Sequence, residues 1–148
     1  EFRRVLFRSG EDITVVSYGS TLRIVEKACI ELKSHGISVD LIDAQTLIPF
    51  DTNNEIISSL KKTNKLIIVD EDYNGGASAF ILKKIIEDQN GYEFLDSKPK
   101  TITSKDHRPP YGSDGDYFSK PSLDDIFEGI YNVMNEYDPN RYPLNFRS

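Results

Sequence analysis

The residues best suited to chemistry in this sequence come directly after short apolar runs or in a proline-rich loop. Three acids at residues 70–72 (DED) follow the apolar run at residues 66–69, and His107 lies between an acidic and a basic neighbour. Paired carboxylates can serve as general acid and base, and a histidine can exchange a proton near neutral pH. Because no catalytic motif surrounds them, we interpret the acids as a solvated strand end and His107 as a turn or interface residue.

Three ligand-binding patterns are present only in part. Gly19 and Asp43 have the approximate spacing of a dinucleotide fingerprint, but its other glycines are missing. The glycine pair at residues 75–76 is not followed by the Lys-Ser or Lys-Thr of a phosphate loop. A calcium loop starting at residue 114 would place Phe118 at a ligand position. The sequence therefore favours neither a nucleotide nor a calcium site.

Composition narrows the class of protein further. The 148 residues are 38% hydrophobic and carry a net charge of -6, which suits one acidic domain and disfavours a nucleic-acid partner. Cys29 is the single cysteine, so the chain has no internal disulfide and no cysteine-based zinc cluster. No run approaches the roughly 20 apolar residues of a membrane span. We expect an intracellular, soluble domain.

The first nine residues (EFRRVLFRS) have no regular periodicity, and patterned sequence begins only after them. We interpret residues 1–9 as an artificial leader left by cloning or sequence assembly. They contain three arginines and one glutamate, so the net charge of the remainder is -8 rather than -6.

Strands and helices alternate through the rest of the chain. Apolar runs predict strands at residues 12–18, 37–43 and 66–69, the last buried on both faces, and an edge strand at residues 100–103. Four helices are predicted after these strands: one after Ser20-Thr21, one at a capping box Thr52-x-x-Glu55, a largely buried one after Gly75-Gly76, and one at a second capping box Ser122-x-x-Asp125. The last helix is predicted to be amphipathic, with an apolar stripe at Ile126, Phe127, Ile130, Tyr131, Met134 and Tyr137. Such alternation is typical of right-handed βαβ units. The sequence predicts an α/β, three-layer Rossmann-like domain, with a mostly parallel sheet and helices on both faces, at residues 10–137, followed by a surface tail at residues 138–148.

Three motifs in order carry a family resemblance. They are residues 12–20 (DITVVSYGS), residues 39–51 (VDLIDAQTLIPFD) and residues 70–76 (DEDYNGG). Together they resemble the C-terminal domain of the transketolase family, most closely in the β subunit of the first component of 2-oxo acid dehydrogenases. The pair at residues 120–121 (KP) fits the same pattern, whereas Ala44-Gln45 replaces the Leu-Arg usual in the family.

The resemblance implies an assembly role rather than catalysis in this chain. Full-length relatives use thiamin diphosphate and Mg²⁺, held between two preceding domains, to decarboxylate a 2-oxo acid and pass the acyl group to a lipoyl arm. The resemblance implies no cofactor site in this domain and no activity of the domain alone. Implied partners are the α subunit or N-terminal domains of the same enzyme, a second β chain, and the basic subunit-binding domain of a dihydrolipoyl acyltransferase. An acidic domain suits the last of these.

The resemblance also nominates contact residues and leaves two alternatives open. Asp96 is the expected docking acid, and the loop aromatics Tyr111, Tyr117 and Phe118, with His107, are expected interface residues. The first alternative is the C-terminal domain of a transketolase or 1-deoxyxylulose-5-phosphate synthase; the second is a free-standing nucleotide-binding domain. The expected location is the cytoplasm of a bacterium or the matrix of an organelle.

Overall fold

The architecture is a six-stranded sheet between two helical layers, seen in a computed structural model that describes residues 6–44, 54–73, 77–106, 118–119 and 121–144. The strands are β1 (Leu6–Arg8), β2 (Ile13–Ser17), β3 (Val39–Asp43), β4 (Leu66–Tyr73), β5 (Lys100–Asp106) and β6 (Phe118–Ser119). The helices are α1 (Thr21–Lys33), α2 (Glu55–Thr63), α3 (Ala77–Lys83), which continues as a π-helical turn at Lys84–Asp88, and α4 (Leu123–Tyr137); a 3₁₀ turn spans Gly91–Phe94.

The strand order is β1-β3-β2-β4-β5-β6. The four inner strands are parallel, and β1 and β6 are antiparallel additions at the two sides. The predicted α/β class and mostly parallel sheet are confirmed. The ends of the four inner strands define two edges, called below the amino edge, where these strands begin, and the carboxyl edge, where they end.

Alternation along the strands sorts the core into two layers. Ile67 and Val69 pack with α1 and α4, whereas Leu66 and Ile68 pack with α2 and α3. All four are buried, so the predicted strand with two buried faces is confirmed. Because β4 is central, its two ends lie at the middle of the two edges.

The helix boundaries confirm some sequence signals and correct others. At α4, the Ser122 hydroxyl accepts from the Asp125 N–H, and the Asp125 carboxylate accepts from the Ser122 N–H, which confirms the capping box. At α2 the N-cap is Asn54, in the left-handed conformation, so Glu55 is the first helical residue and not the third, and the capping box predicted from Thr52 is wrong. Thr52 itself lies outside the described residues.

The third helix is less buried than predicted. Ser78 and Ile81 are buried, but Phe80 is only partly covered and Ala79 is exposed. The helix packs against one face of β4, so its opposite side points away from the sheet.

Both ends of the described part of the chain make contacts that were not predicted from the sequence. Leu6–Arg8 pairs antiparallel with β3, and the artificial origin of residues 1–9 stays a prediction. Within the predicted surface tail, Tyr142 is buried against α4, and the Tyr131 hydroxyl donates to the Pro143 carbonyl oxygen at 2.8 Å. No helix in the described part of the chain is long and apolar enough to cross a membrane.

Candidate functional site

Asp96, the predicted docking acid, lies at the amino edge, in the segment between the 3₁₀ turn and β5. Asn64 fixes this segment against the start of β4: its side-chain amide donates to the Phe94 carbonyl oxygen at 2.7 Å, and its own carbonyl accepts from the Asp96 N–H at 2.9 Å. Asn64 can do this because it takes a left-handed conformation, with φ of 62°, directly after α2. The backbone of the Asp96 segment is therefore held by two hydrogen bonds to Asn64, one from its side chain and one to its main-chain carbonyl.

The Asp96 carboxylate pairs with a buried lysine. The Oδ2 atom lies 3.1 Å from the Lys65 ammonium, whose side chain is only 4% exposed, while the Asp96 side chain is 40% exposed. The same ammonium lies 3.4 Å from the centre of the Tyr137 ring. We call these three residues the Lys65 cluster. A buried ammonium requires such partners, because burial without them is costly.

Tyr137 differs from its expected environment. Its helical spacing placed it on the buried stripe of α4, but it is 56% exposed, because it lies in the last turn of that helix. Beside it, Glu136 pairs with Lys100 at 3.2 Å, and in this pair, unlike Lys65–Asp96, both side chains are partly exposed. The Lys65 cluster is therefore a surface feature with one buried member.

A second polar group at the same edge is almost entirely buried. The Asp40 carboxylate accepts from the Gly10 N–H at 2.8 Å and from the Ser59 hydroxyl at 2.5 Å, and Lys62 lies 3.3 Å from it. Since Ser59 gives its proton to the carboxylate, Thr14, 2.5 Å from Ser59, must donate to it. Thr63 lies 2.6 Å from Thr14 and completes the chain of hydroxyls. We call this set the Asp40 network; it joins α2 to β2 and β3.

Gly10 is required by this arrangement. A Cβ atom there would lie 2.3 Å from the Val39 carbonyl carbon, so only glycine allows its N–H to reach Asp40. The only signal of the Asp40 network in the sequence is a charged residue inside an apolar strand.

The carboxyl edge holds the residues that first suggested catalysis. Asp70 is buried, so its interpretation as part of a solvated strand end is wrong; Glu71 is exposed, as that interpretation requires. The Ser20 hydroxyl donates to Glu71 Oε1 at 2.9 Å, which joins the start of α1 to the end of β4. His35 is exposed at the far end of α1, 5.2 Å from the Phe127 ring, and therefore lies at the other edge from these acids.

The remaining predicted interface residues are only partly within the structure. His107, Tyr111 and Tyr117 lie outside the described residues. The backbone of Phe118 pairs with Asp106 in the antiparallel β5–β6 ladder. In the described ranges there is no group of three or more His, Cys, Asp or Glu side chains that could hold a metal ion.

Comparison with known families agrees with this architecture. The model of the family "Transketolase, C-terminal domain" matches residues 4–121. Since the match covers most of the chain, the chain belongs to this family, and the predicted family resemblance is confirmed.

Two individual relatives are named as β subunits of dehydrogenases. The chain is 31% identical over 126 residues to the pyruvate dehydrogenase E1 component subunit beta of Rhizobium meliloti, a match covering 84% of this chain and 27% of that protein. It is 44% identical over 84 residues to the mitochondrial 2-oxoisovalerate dehydrogenase subunit beta 2 of Arabidopsis thaliana, covering 55% of this chain and 23% of that protein. The chain thus spans about a quarter of the length of these relatives.

A solved structure described as a split gene transketolase, an inactive beta4 tetramer, matches with a TM-score of 0.63 and 16% identity, over 88% of this chain and 41% of that one. At this identity the likeness shows the fold alone.

Proposed function

We propose that this chain is the C-terminal assembly and docking domain of a β subunit, or of a fused α–β chain, in a thiamin diphosphate-dependent 2-oxo acid dehydrogenase. The observation that carries the proposal is the similarity to a pyruvate dehydrogenase E1 component subunit beta along 84% of the chain. The second relative acts, by its name, on a branched-chain 2-oxo acid, so the substrate class is a 2-oxo acid in either case.

In this proposal the chemistry belongs to the full enzyme. Thiamin diphosphate and Mg²⁺ are held by the preceding domains, where the 2-oxo acid is decarboxylated and the acyl group passes to a lipoyl arm. The present domain contributes contacts with the α subunit or the N-terminal domains, with a second β chain, and with the acyltransferase. Named relatives from a bacterium and from mitochondria support a bacterial cytoplasm or an organelle matrix as the location.

Docking of the acyltransferase is assigned to the amino edge at Asp96. Two observations support it: the Asp96 carboxylate is partly exposed, and the chain carries a net negative charge. Charge complementarity with a basic subunit-binding domain raises the encounter rate and selects the partner. His107, Tyr111, Tyr117 and Phe118 are proposed as contacts with the neighbouring domain or subunit.

The direct test is isothermal titration of this chain with the subunit-binding domain of a dihydrolipoyl acyltransferase. We expect binding that weakens as salt rises, and weaker binding for Asp96→Asn than for Glu93→Gln, an equivalent charge change at an exposed acid of the adjacent 3₁₀ turn. No binding at low salt would refute the docking role. Equal losses in the two variants would move the docking site away from Asp96.

A second titration tests whether the cofactor site lies outside this domain. Because the proposed cofactor site lies in other domains, thiamin diphosphate with Mg²⁺ should give no heat with this chain. Micromolar binding would contradict the proposal. A transketolase-type domain, the first alternative, would instead bind a second copy of its own chain and not the acyltransferase domain.

A further inference from the structure

The Lys65 cluster exposes an aromatic ring as well as an acid. Asp96 Oδ2 and the Tyr137 ring centre both approach the Lys65 ammonium, at 3.1 and 3.4 Å, so they lie within about 6.5 Å of each other. Both are substantially exposed, whereas the ammonium between them is buried. A carboxylate and an aromatic ring therefore face solvent side by side.

This pair of groups fits one kind of side chain. Guanidinium is planar, forms paired hydrogen bonds with a carboxylate and stacks on an aromatic face, whereas ammonium is a compact point charge. A single guanidinium is wide enough to contact both groups at this separation. The contact already made by the Lys65 ammonium shows that the ring accepts a cation.

The surroundings also favour a cation. Tyr137 is the last residue of the 15-residue helix α4, which has no basic residue in its last turn. The carbonyl groups at a helix C-terminus carry partial negative charge. Lys65 weakens the attraction of this surface for a second cation, because its positive charge already neutralises part of the charge of Asp96.

We infer that Asp96 and Tyr137 together form a binding site for an arginine of a basic partner protein, with Lys65 as an internal counter-ion that limits the affinity. The inference rests on the proposed docking function for the identity of the partner, but its chemistry can be tested without that partner. It adds to Asp96 one contact residue, Tyr137, and one residue that tunes binding, Lys65.

The first experiment uses a small probe. The peptide acetyl-Gly-Arg-Gly-amide is titrated into the ¹⁵N- and aromatic-labelled chain, followed by NMR, with acetyl-Gly-Lys-Gly-amide as the comparison. We expect the arginine peptide to shift the Tyr137 ring and Asp96 amide signals more than the lysine peptide does, and to leave the Tyr92 ring unshifted. Tyr92 is a suitable control, because it is 74% exposed. Equal shifts from both peptides, or none, would overturn the arginine site.

The second experiment uses the acyltransferase subunit-binding domain by calorimetry at two salt concentrations. Tyr137→Ala should weaken binding about three-fold, the magnitude of an exposed cation–π contact, and Tyr137→Phe should bind like the parent, because the ring face is kept. Tyr92→Ala should have no effect. Lys65→Met should strengthen binding about three-fold and steepen its salt dependence, because one competing positive charge is removed.

The outcomes separate this inference from the proposed function. If the domain binds but Tyr137→Ala behaves like Tyr92→Ala, the inference is wrong and the docking function stands. If the arginine peptide shifts Tyr137 but the domain does not bind, the arginine site stands and the proposed function is wrong. Circular dichroism melts of each variant check that the fold is intact; if Lys65→Met does not fold, Lys65→Arg, which keeps the charge, should bind like the parent.

Discussion

Two ion pairs at the amino edge have opposite arrangements. In the Asp40–Lys62 pair the acid is 3% exposed and the lysine 35%, whereas in the Lys65–Asp96 pair the lysine is 4% exposed and the acid 40%. The two lysines are only three residues apart in sequence, at the end of α2 and just before β4. The first pair therefore turns a positive group outward, and the second turns a negative group outward.

The difference shows which member of each pair determines stability. A buried charge is costly without its partners, whereas an exposed one can be solvated by water. In each pair we expect the loss of Asp to be the costly change, but for different reasons: Asp40 is a buried acceptor of several hydrogen bonds, and Asp96 is the counter-ion of a buried ammonium.

The largest effect is expected for Asp40→Ala. The Gly10 N–H and the Ser59 hydroxyl would both lose their acceptor in a buried environment, at a cost of about 3 kcal/mol in the free energy of unfolding. Urea denaturation should show a lower midpoint with an unchanged m-value. Glu128→Ala, at an exposed acid of α4, is the matched control and should change stability by less than about 0.5 kcal/mol. Equal stabilities of these two variants would contradict a structural role of the Asp40 network.

The next effect concerns Asp96→Ala, which leaves the Lys65 ammonium with the Tyr137 ring but without a counter-ion. We expect a loss of about 2 kcal/mol, since the ammonium is buried. Lys65→Met should cost less than about 1 kcal/mol, because the methionine is apolar, of similar length, and leaves only an exposed acid behind.

A double-mutant cycle checks this directly. The variant carrying both Lys65→Met and Asp96→Ala should be more stable than Asp96→Ala alone, because the stranded ammonium is removed. If the double variant is less stable than either single variant, Lys65 stabilises the fold through packing rather than through its charge.

A neutral contact near the same edge gives a reference without an ion pair. Tyr131 donates to the Pro143 carbonyl oxygen, and burial raises the pKa of the Tyr131 hydroxyl above its ordinary value near 10. The folded state therefore holds this proton more tightly than the unfolded state. Stability from this group is complete below pH 10 and is lost as the pH rises through the raised pKa.

Tyr131→Phe should accordingly have two effects. It removes one hydrogen bond, which costs about 1 kcal/mol near neutral pH. It also removes the proton linkage, so the decline in thermal midpoint above pH 10 should be shallower than in the parent chain. Tyr92→Phe is the control, because Tyr92 is highly exposed. An identical alkaline decline in the Tyr131 and Tyr92 variants would contradict the linkage.

The sequence predicted the local features of both pairs but not the pairs themselves. The strand at residues 66–69, the capping box of α4 and the candidacy of Asp96 depend on short patterns or on family motifs, and each is visible within a few residues. The partners of Asp40 and Lys65 are not: Ser59 is 19 residues from Asp40, and Asp96 is 31 residues from Lys65. Such contacts depend on how α2, the 3₁₀ turn and α4 pack on the sheet, which periodicity does not determine.

Tyr137 shows the same limit, because a local pattern predicted that it is buried and it is exposed. Helical spacing correctly placed Ile130 and Met134 in the core, but Tyr137, in the last turn of α4, is exposed beside Lys65, the residue just before β4. A residue on the apolar stripe can therefore be exposed when its helix is longer than the layer it covers. The proposed arginine site depends on that exposure.

The smallest expected effect completes the comparison. Lys62→Met removes the exposed member of the Asp40–Lys62 pair, and the Asp40 carboxylate keeps its bonds from Gly10 and Ser59. Because Lys62 is partly solvated and its ion pair is 3.3 Å long, the loss should be less than about 1 kcal/mol and should shrink further in high salt. Urea denaturation at low and high salt measures both. A loss as large as that of Asp40→Ala would mean that the buried carboxylate depends on Lys62 rather than on its neutral hydrogen-bond donors. Both buried charges would then require a counter-ion, and the contrast between the two pairs would disappear.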